Sequence, residues 1–538
     1  MSNKLKYLLL LILPVILFLT VCLLKNAIGA YYLNFEDPSY VYLINSLNVS
    51  LRFPVGHFDH PGTTVQVVGA AVIRIYHRIS SSNPDLIRDV LMRPEEYLGQ
   101  INIILILMGS SVLLMLGILT YKLSGNIMLS LLMQLSPFVS LQIFYGLKIV
   151  ASDNFLVTVS LCFTGMLIYY LYRIKDEAKT PLPFILIFAV ICAAGLATKI
   201  SFFPMLLIPL LLIKGTRSRL VFLIIVPLLF LIFVIPAISN YEKFLEWVWM
   251  LILFNGSYGH GDPSVVDVPK FFTSLTSIFS GDPVFAVSYF LSVLTLIAAY
   301  IKSKNNEELN PKQKKEFKLL LSIVLAMTIQ VLIVAKQYRQ HYMIPSLILS
   351  IFSFTLCTQL ISSFFDKLKL QTLYAGLIIV ISITAFFKIS DSYYTTLFFR
   401  DEAIKVNRYV KENNSDALCI SSFGSASKEF SLAYGISYSG YKIKSYKSIL
   451  SEIQKENIFY IPWQDGLFSL SSKDSTAATL NENKKLLFQT NQDNVNNFIQ
   501  TIENKYGLKI IDKKLLFSNS INECVYEITK GSQNENMK

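Results

Sequence analysis

Residues 8–24 read LLLLILPVILFLTVCLL, an apolar run that begins soon after Lys4 and Lys6. Such a run could be the apolar core of a signal peptide, but those cores are about 7–15 residues long. This run is longer, and no clear small-residue cleavage site follows it. We therefore predict an uncleaved first membrane span.

Similar runs recur along the chain as far as Phe387, and the overall composition agrees with them. Of the 538 residues, 53% are hydrophobic and 16% are charged, whereas ordinary soluble domains carry about 25% charged residues. These numbers exclude collagen, a coiled coil and a disordered chain, and they argue against a soluble nucleic-acid-binding protein despite the net charge of +12. We predict about eleven spans in all. The other ten are at 101–120, 126–143, 154–172, 182–198, 200–213, 220–238, 284–301, 319–335, 342–361 and 371–388.

The positive charges are distributed as membrane topology requires, because cytoplasmic loops are enriched in lysine and arginine. With the N-terminus inside and the spans alternating, the inner loops receive most of the basic residues between spans. The short outer loops then hold few: Lys148, Lys199, Lys336 and Arg339. This asymmetry places loops 25–100 and 239–283 and the tail outside the cytoplasm, and a bacterial cytoplasmic membrane is the expected location.

The tail, residues 391–538, differs from the rest in kind. Its basic and acidic residues are nearly balanced, and short apolar strand-like pieces alternate with helical stretches. That alternation favours a small α/β domain. We therefore predict a mostly α protein, with a polytopic helix bundle over residues 1–390 and an extracytoplasmic α/β domain over residues 391–538. Cys419 and Cys524 lie in this tail and could pair outside the cytoplasm.

Unusual polar residues gather on the predicted outer face. Glu36 and Asp37, directly after the first span, form a candidate general base, since a second carboxylate and burial can tune a pKa. Three cations at span ends could clamp a phosphate: Lys199, Arg339 and His341. The cluster His57, Asp59 and His60 could bind a divalent metal, although its spacing is not diagnostic. Taken singly, each of these residues could instead be a solvated loop residue or an anchor to lipid headgroups.

The order of these features resembles the polytopic glycosyltransferases of the GT-C superfamily, in the branch of protein O-mannosyltransferases and aminoarabinose transferases. Residues 36–40, EDPSY, match the acidic DE..Y motif of that branch, and residues 60–63, HPGT, resemble its HPPL motif. Residues 151–154, ASDN, resemble its RPD/E motif; residues 195–199, GLATK, resemble GLA..TK; and residues 338–345, YRQHYMIP, resemble RY..P. Gly62 replaces the second proline of the His-Pro motif, so the turn there is expected to differ.

The resemblance implies transfer of a sugar from a polyprenyl-phosphate donor to a lipid, glycan or protein acceptor at the outer face, with inversion. Glu36 or Asp37 would take the acceptor proton, and Lys199, Arg339 and His341 would stabilise the departing lipid phosphate. Substrate binding is assigned to Tyr40, His57, Asp59, His60 and Asp153. No cofactor is required, although a divalent metal remains an option, and nucleic acid is not a partner.

Two other classes of protein stay open. A lipid or glycan transporter would show internal repeats and polar residues in mid-span, whereas here the polar residues lie at span ends. A non-catalytic scaffold presenting an outer domain would leave the acidic and His-Pro motifs without a role.

Overall fold

The computed structural model describes residues 3–34, 37–81, 83–174, 179–256, 259, 261–304, 309–364, 369–413, 417–454, 458–464, 466–471, 473–483, 485–491 and 494–531. The chain divides into two compact units. The first, called the helical unit, comprises Met1–Cys22, Phe58–Val65 and Asn102–Asp391. The second, called the mixed unit, comprises Leu23–His57, Gln66–Ile101 and Ser392–Lys538.

Up to Asn413 the described residues form mainly α-helices, and the last of these helices continues past residue 390 into the predicted tail. In chain order they are α1 (Asn3–Ile28), α2 (Ser39–Ser50), α3 (Thr63–Ser80), α4 (Leu86–Met92), α5 (Pro94–Ser124), α6 (Ile127–Gln134), α7 (Leu141–Leu147), α8 (Ser152–Arg173), α9 (Leu182–Thr198), α10 (Leu207–Leu212), α11 (Thr216–Phe233), α12 (Tyr241–Leu253), α13 (Val268–Gly281), α14 (Pro283–Lys304), α15 (Pro311–Lys336), α16 (Ile344–Ser362) and α17 (Leu370–Asn413).

Within the described ranges, eight helices are long and apolar enough to cross a membrane. They are Lys4–Ile28, Pro94–Ser124, Ser152–Arg173, Thr216–Phe233, Pro283–Lys304, Pro311–Lys336, Gln340–Ser362 and Leu370–Asn413. Two shorter apolar helices, Leu182–Thr198 and Ile200–Leu212, coincide with two more predicted spans. The prediction of a mostly helical, multi-pass membrane protein is confirmed.

The predicted span 126–143 folds differently from a single straight helix. A 3₁₀ turn at Ser136–Val139 separates α6 from α7. Pro137 in that turn has no backbone N–H to continue the ladder of α6. Ser140 then starts α7 by accepting a hydrogen bond from the Gln142 N–H at 3.2 Å, as N-cap residues do. The sequence between the two helices therefore bends the chain where hydropathy alone indicated one span.

The tail forms a six-stranded sheet with helices, which confirms the predicted small α/β region. Its strands are β1 (Leu418–Ser422), β2 (Ile458–Ile461), β3 (Gly466–Ser469), β4 (Lys485–Asn491), β5 (Ile510–Ser518) and β6 (Glu523–Lys530), in the order β3-β2-β1-β4-β6-β5. The helices are α18 (Lys428–Ser437), α19 (Ile443–Ile453), α20 (Lys473–Glu482) and α21 (Val495–Tyr506). Strand β1 runs parallel to β2 and β4, and the other pairs are antiparallel.

Cys419 and Cys524 do not form a disulfide with each other. Cys419 lies on β1 and Cys524 on β6, and β4 runs between these two strands. Neighbouring strands are about 4.8 Å apart, so the two cysteines, with β4 between their strands, are separated by at least two strand spacings. A disulfide cannot form when the two Cα atoms are more than about 7 Å apart, and two spacings exceed that distance. The pairing considered from the sequence is therefore absent from this fold.

Helix α2 packs against α18, so part of the predicted outer loop 25–100 belongs to the same compact unit as the tail. A Cβ atom on Gly435 would lie 2.8 Å from the carbonyl oxygen of Tyr40, so glycine permits this close approach. The Asn48 side chain donates to the Ser439 carbonyl at 2.8 Å and accepts from the Tyr446 hydroxyl at 2.7 Å. These buried bonds tie α2 to the segment that follows α18.

Glu523, the first residue of β6, gives the mixed unit a pH-dependent stability. Its buried Oε1 accepts hydrogen bonds from the Ala426 N–H at 2.8 Å and the Gln489 amide at 2.7 Å. Burial raises the pKa of this carboxyl to about 7, against about 4.3 in an unfolded chain. The folded state therefore holds a proton that the unfolded state has released, and this contribution to stability is lost as the pH rises from about 4 to 7.

We expect Glu523→Gln to stabilise the protein at pH 8 by about 1–3 kcal/mol, because the neutral amide keeps the acceptor oxygen without the buried charge. Near pH 4 the two proteins should be equally stable. Thermal unfolding of the purified protein at both pH values measures this difference. An equal effect of the substitution at both pH values would contradict the titration of Glu523 in this range.

Candidate active site

A buried ion pair forms at the ends of two helices in the helical unit. Asp153 lies in the first turn of α8, and Lys199 follows the last residue of α9 with an extended backbone. The Lys199 ammonium is 2.7 Å from the Asp153 carboxylate, and the two side chains are 3% and 13% exposed. A Cβ atom on Gly146 would lie 2.8 Å from the Asp153 Cβ, so the carboxylate is packed closely against α7. Two residues from separate motifs thus meet directly.

Tyr342 connects this pair to the His-Pro motif. The Lys199 ammonium lies 4.8 Å from the centre of the Tyr342 ring, a distance typical of a cation–π contact. The Tyr342 hydroxyl is 3.1 Å from His60 Nε2, and the His60 ring lies edge-on to Trp247 at 5.1 Å. Asp153, Lys199, Tyr342, His60 and Trp247 therefore form one continuous series of contacts.

The segment Phe58–Val65 is held at the end of α9 by its threonines. The Thr64 hydroxyl is 2.9 Å from the Thr198 hydroxyl, and Thr63 donates to the Ala197 carbonyl at 3.4 Å. Gly62 has a φ of 64°, which proline cannot adopt because its ring fixes φ near −65°. The turn therefore differs from one with two prolines, as the departure from the His-Pro-Pro pattern predicted.

The motif at residues 338–345, YRQHYMIP, presents its two predicted phosphate-binding residues differently. Arg339 is exposed just before a 3₁₀ turn at Gln340–Met343. His341 is half-buried with its ring 4.6 Å from that of Tyr342, and it interacts electrostatically with Lys199, Asp153 and Arg339. Lys199 and His341 thus belong to the buried cluster, whereas the guanidinium of Arg339 is open to solvent.

Gln340, between these two residues, anchors the turn from both sides. Its amide oxygen accepts from Gln142 at 2.9 Å, and its amide nitrogen donates to the Asp282 carboxylate at 3.0 Å. Asp282 is buried just before α14. Gln142 and Asp282, which lie outside the five motifs, therefore fix the position of this turn.

In the mixed unit, Tyr40 is fully buried and contacts a residue that the sequence reasoning missed. Its hydroxyl donates to Glu95 Oε1, and the other oxygen of Glu95 accepts from the Tyr31 N–H at 2.7 Å. Burial, then the charge of Glu95, holds the pKa of Tyr40 well above its usual value. Glu95 thus binds both ends of the segment that carries Asp37. Residues 94–96, PEE, look like ordinary helix N-terminal residues, so no sequence signal marks Glu95 as the partner of Tyr31 and Tyr40.

The remaining predicted residues are distributed between the two units. Asp37 is half-buried in the mixed unit, and Glu36 lies outside the described residues. His57 is in the mixed unit, where its ring lies between those of Tyr42 and Tyr438. Asp59 and His60 are in the helical unit. The described residues include no group of three or more His, Cys, Asp or Glu side chains placed to hold a metal ion.

For the sugar transfer that the sequence resemblance implies, we expect Glu95→Ala to lower kcat about 10- to 100-fold. Glu95 holds the segment that carries the candidate base Asp37, and a shift of about 1 Å in a reacting group can cost a factor of about 100. The KM for the sugar donor should stay the same. Tyr40→Phe, which removes one of the two hydrogen bonds, should have a smaller effect.

Glu96→Ala is the matched control, since Glu96 is the next residue, is exposed, and bonds to Arg93 and Tyr76. Steady-state kinetics of sugar transfer would measure all three variants. An equal loss in Glu96→Ala, or a rise in KM alone for Glu95→Ala, would contradict a positioning role for Glu95.

Comparison with known proteins shows a structural likeness. No protein-family model matches the chain, and no curated protein matches it. The structure is similar to the crystal structure of ArnT from Cupriavidus metallidurans bound to undecaprenyl phosphate, with a TM-score of 0.47 and 8% sequence identity. The match covers 95% of this chain and 97% of that one.

Proposed function

We propose that the protein is a membrane glycosyltransferase that transfers a sugar from a polyprenyl-phosphate donor to an acceptor hydroxyl. One observation carries the proposal. Asp153, Lys199, Tyr342 and His60 come from four motifs spread over nearly 300 residues, yet they form one series of contacts at helix ends. Ionisable groups near the membrane are costly and tend to mark functional sites.

In this mechanism the chemistry is divided between an acidic residue and a group of cations. Asp37 or its neighbour Glu36 takes the proton of the acceptor hydroxyl as the hydroxyl oxygen attacks the anomeric carbon. The bond from that carbon to the phosphate oxygen breaks with inversion, and the electron pair leaves with the polyprenyl phosphate. Positive charge at Lys199, His341 and Arg339 would stabilise the phosphate, which gains negative charge in the transition state. Asp153 keeps the Lys199 ammonium at a fixed place.

The test is transfer of radiolabelled sugar in membranes that contain the protein. Polyprenyl phosphates carrying tritiated hexoses or pentoses are supplied, and label in the lipid, glycan and protein fractions is counted. Membranes without the protein are the control. Label that depends on the protein supports the proposal, and absence of transfer from every donor would refute it. Label that crosses the membrane while it stays on the donor would indicate a transporter instead.

We further propose that the mixed unit lies outside the cytoplasm of a bacterial cell. Helix α2, in the predicted outer loop, packs against α18 of the tail, so both must lie on the same side of the membrane. The basic residues of the predicted inner loops support the outer side for both.

Cysteine labelling measures this topology. Tyr441 is 75% exposed in the mixed unit, and Lys304 is exposed at the predicted inner end of α14. In a background with the half-buried Cys22 and Cys162 replaced by alanine, a membrane-impermeant maleimide should label Tyr441→Cys in intact cells. It should label Lys304→Cys only after the cells are broken. The reverse pattern would invert the topology.

A further inference from the structure

Four aromatic side chains gather at one edge of the sheet in the mixed unit. Phe423 follows β1, Trp463 follows β2, and Tyr434 and Tyr438 lie on and directly after α18. Because β1 and β2 are parallel, the loops after them emerge at the same edge, where open α/β sheets commonly bind ligands. These four residues are called the aromatic platform.

The platform holds an exposed tryptophan in a fixed orientation. The Trp463 ring lies 4.4 Å from that of Phe423 and 6.3 Å from that of Tyr434, nearly perpendicular to both. Its indole N–H donates to the Tyr438 hydroxyl at 3.2 Å. Even so, 52% of Trp463 is exposed. A large aromatic surface that is both exposed and already immobilised loses little entropy when it binds a ligand.

The platform continues directly to His57. The His57 ring lies edge-on to Tyr438 at 5.8 Å. Its backbone is fixed because the N–H donates to Asn45 Oδ1 at 3.1 Å and the carbonyl accepts from Gln66 at 3.2 Å. The ring nitrogen Nδ1 is buried, and it has no hydrogen-bond partner among the residues the structure describes. A buried polar atom without a partner is costly, which suggests that a ligand completes its hydrogen bonding.

We propose that the aromatic platform and His57 bind a sugar ring of the acceptor, an inference that rests on the proposed glycosyltransferase function. A sugar ring has a face of C–H groups and a rim of hydroxyls. The electron-rich face of an aromatic ring attracts the C–H groups, and His57 Nδ1 can bond one hydroxyl. The acceptor therefore carries at least one sugar before transfer.

The polar atoms of the platform argue against a simple lipid anchor. Tryptophan and tyrosine at a membrane interface direct their N–H and O–H groups toward water and headgroups. Here the indole N–H of Trp463 donates to the hydroxyl of Tyr438 instead. The exposed part of Trp463 is thus available as an apolar surface, and Tyr438 connects Trp463 to the ring of His57.

Binding of oligosaccharides to the purified full-length protein tests the inference independently of catalysis. The probe is a pool of oligosaccharides released by mild acid from the envelope of the producing cells and labelled at the reducing end with a fluorophore. Fluorescence anisotropy should show saturable binding to the wild type. Trp463→Ala should weaken it at least fivefold, whereas Trp463→Phe should stay within about twofold. His57→Phe, which keeps a ring but removes Nδ1, should also weaken it.

Tyr441→Ala is the matched control, since Tyr441 is another exposed aromatic residue of this unit outside the platform. The unlabelled oligosaccharide pool should compete with the labelled probe for binding. Treating the unlabelled pool with periodate, which cleaves sugar diols, should abolish this competition, and treating it with protease should not. Wild-type affinity in Trp463→Ala, or competition lost to protease alone, would overturn the inference. Oligosaccharide binding without any sugar transfer would instead refute the proposed catalysis and leave the binding site standing.

Discussion

Exchange of Asp37 for asparagine is expected to slow sugar transfer by about two to four orders of magnitude, the usual contribution of a general base. Asparagine has nearly the shape of aspartate but cannot take a proton from the acceptor hydroxyl. The variant should insert and accumulate normally, because Asp37 is half-buried and not part of the core. Initial rates with a saturating polyprenyl-phosphate donor measure the effect.

Glu36→Gln is the necessary control, since the sequence leaves the base open between two neighbouring carboxylates. If Asp37 is the base, Glu36→Gln should keep most of the activity. A large loss in Glu36→Gln alone would transfer the role to Glu36. Near-normal transfer by the double variant would remove the acidic motif from the mechanism.

The second large effect is expected at the ion pair of Asp153 and Lys199. Asp153→Ala leaves a buried ammonium without its carboxylate, and such a loss typically costs about 3–5 kcal/mol. We therefore expect a clear fall in the melting temperature and in the yield of folded protein. Differential scanning fluorimetry in detergent measures the first, and recovery after size-exclusion chromatography measures the second.

A double variant separates the structural role of this pair from a chemical one. Asp153→Leu with Lys199→Met replaces both charges by apolar groups, a change that is often neutral for stability. We expect the double variant to regain the melting temperature but to remain inactive, because the phosphate loses a cation. A stable and active double variant would show that the pair serves only to join α8 to α9.

The sequence predicted those parts of the molecule that depend on local pattern. Long apolar runs identified most of the membrane helices. The apolar strand-like pieces of the tail, at 417–421, 458–461, 509–511 and 524–528, overlap β1, β2, β5 and β6. The central strand β4 was missed because its apolar residues follow a polar stretch and are few. The bend within 126–143 depends on Pro137 and Ser140, which a hydropathy average does not register.

The site was predictable as a set of residue types but not as a set of contacts. Motif order selected Asp153, Lys199 and His60. Their connection through Tyr342 requires tertiary packing of helices far apart in the chain, which periodicity does not encode. Glu95 and Gln340 were missed for the same reason, since each acts by hydrogen bonds to distant partners.

The packing of α2 against α18 has a consequence for how the protein is assembled. Asn45, near the start of the chain, donates its amide to the Tyr438 carbonyl, 393 residues later. Contacts this distant form slowly, because a long stretch must be ordered before they can close. The Asn45 amide near Asp37 therefore lacks its partner in the tail until the chain has been synthesised past Tyr438. We therefore expect incomplete chains to be inactive, because the segment with the acidic motif reaches its folded structure only after the tail has been synthesised.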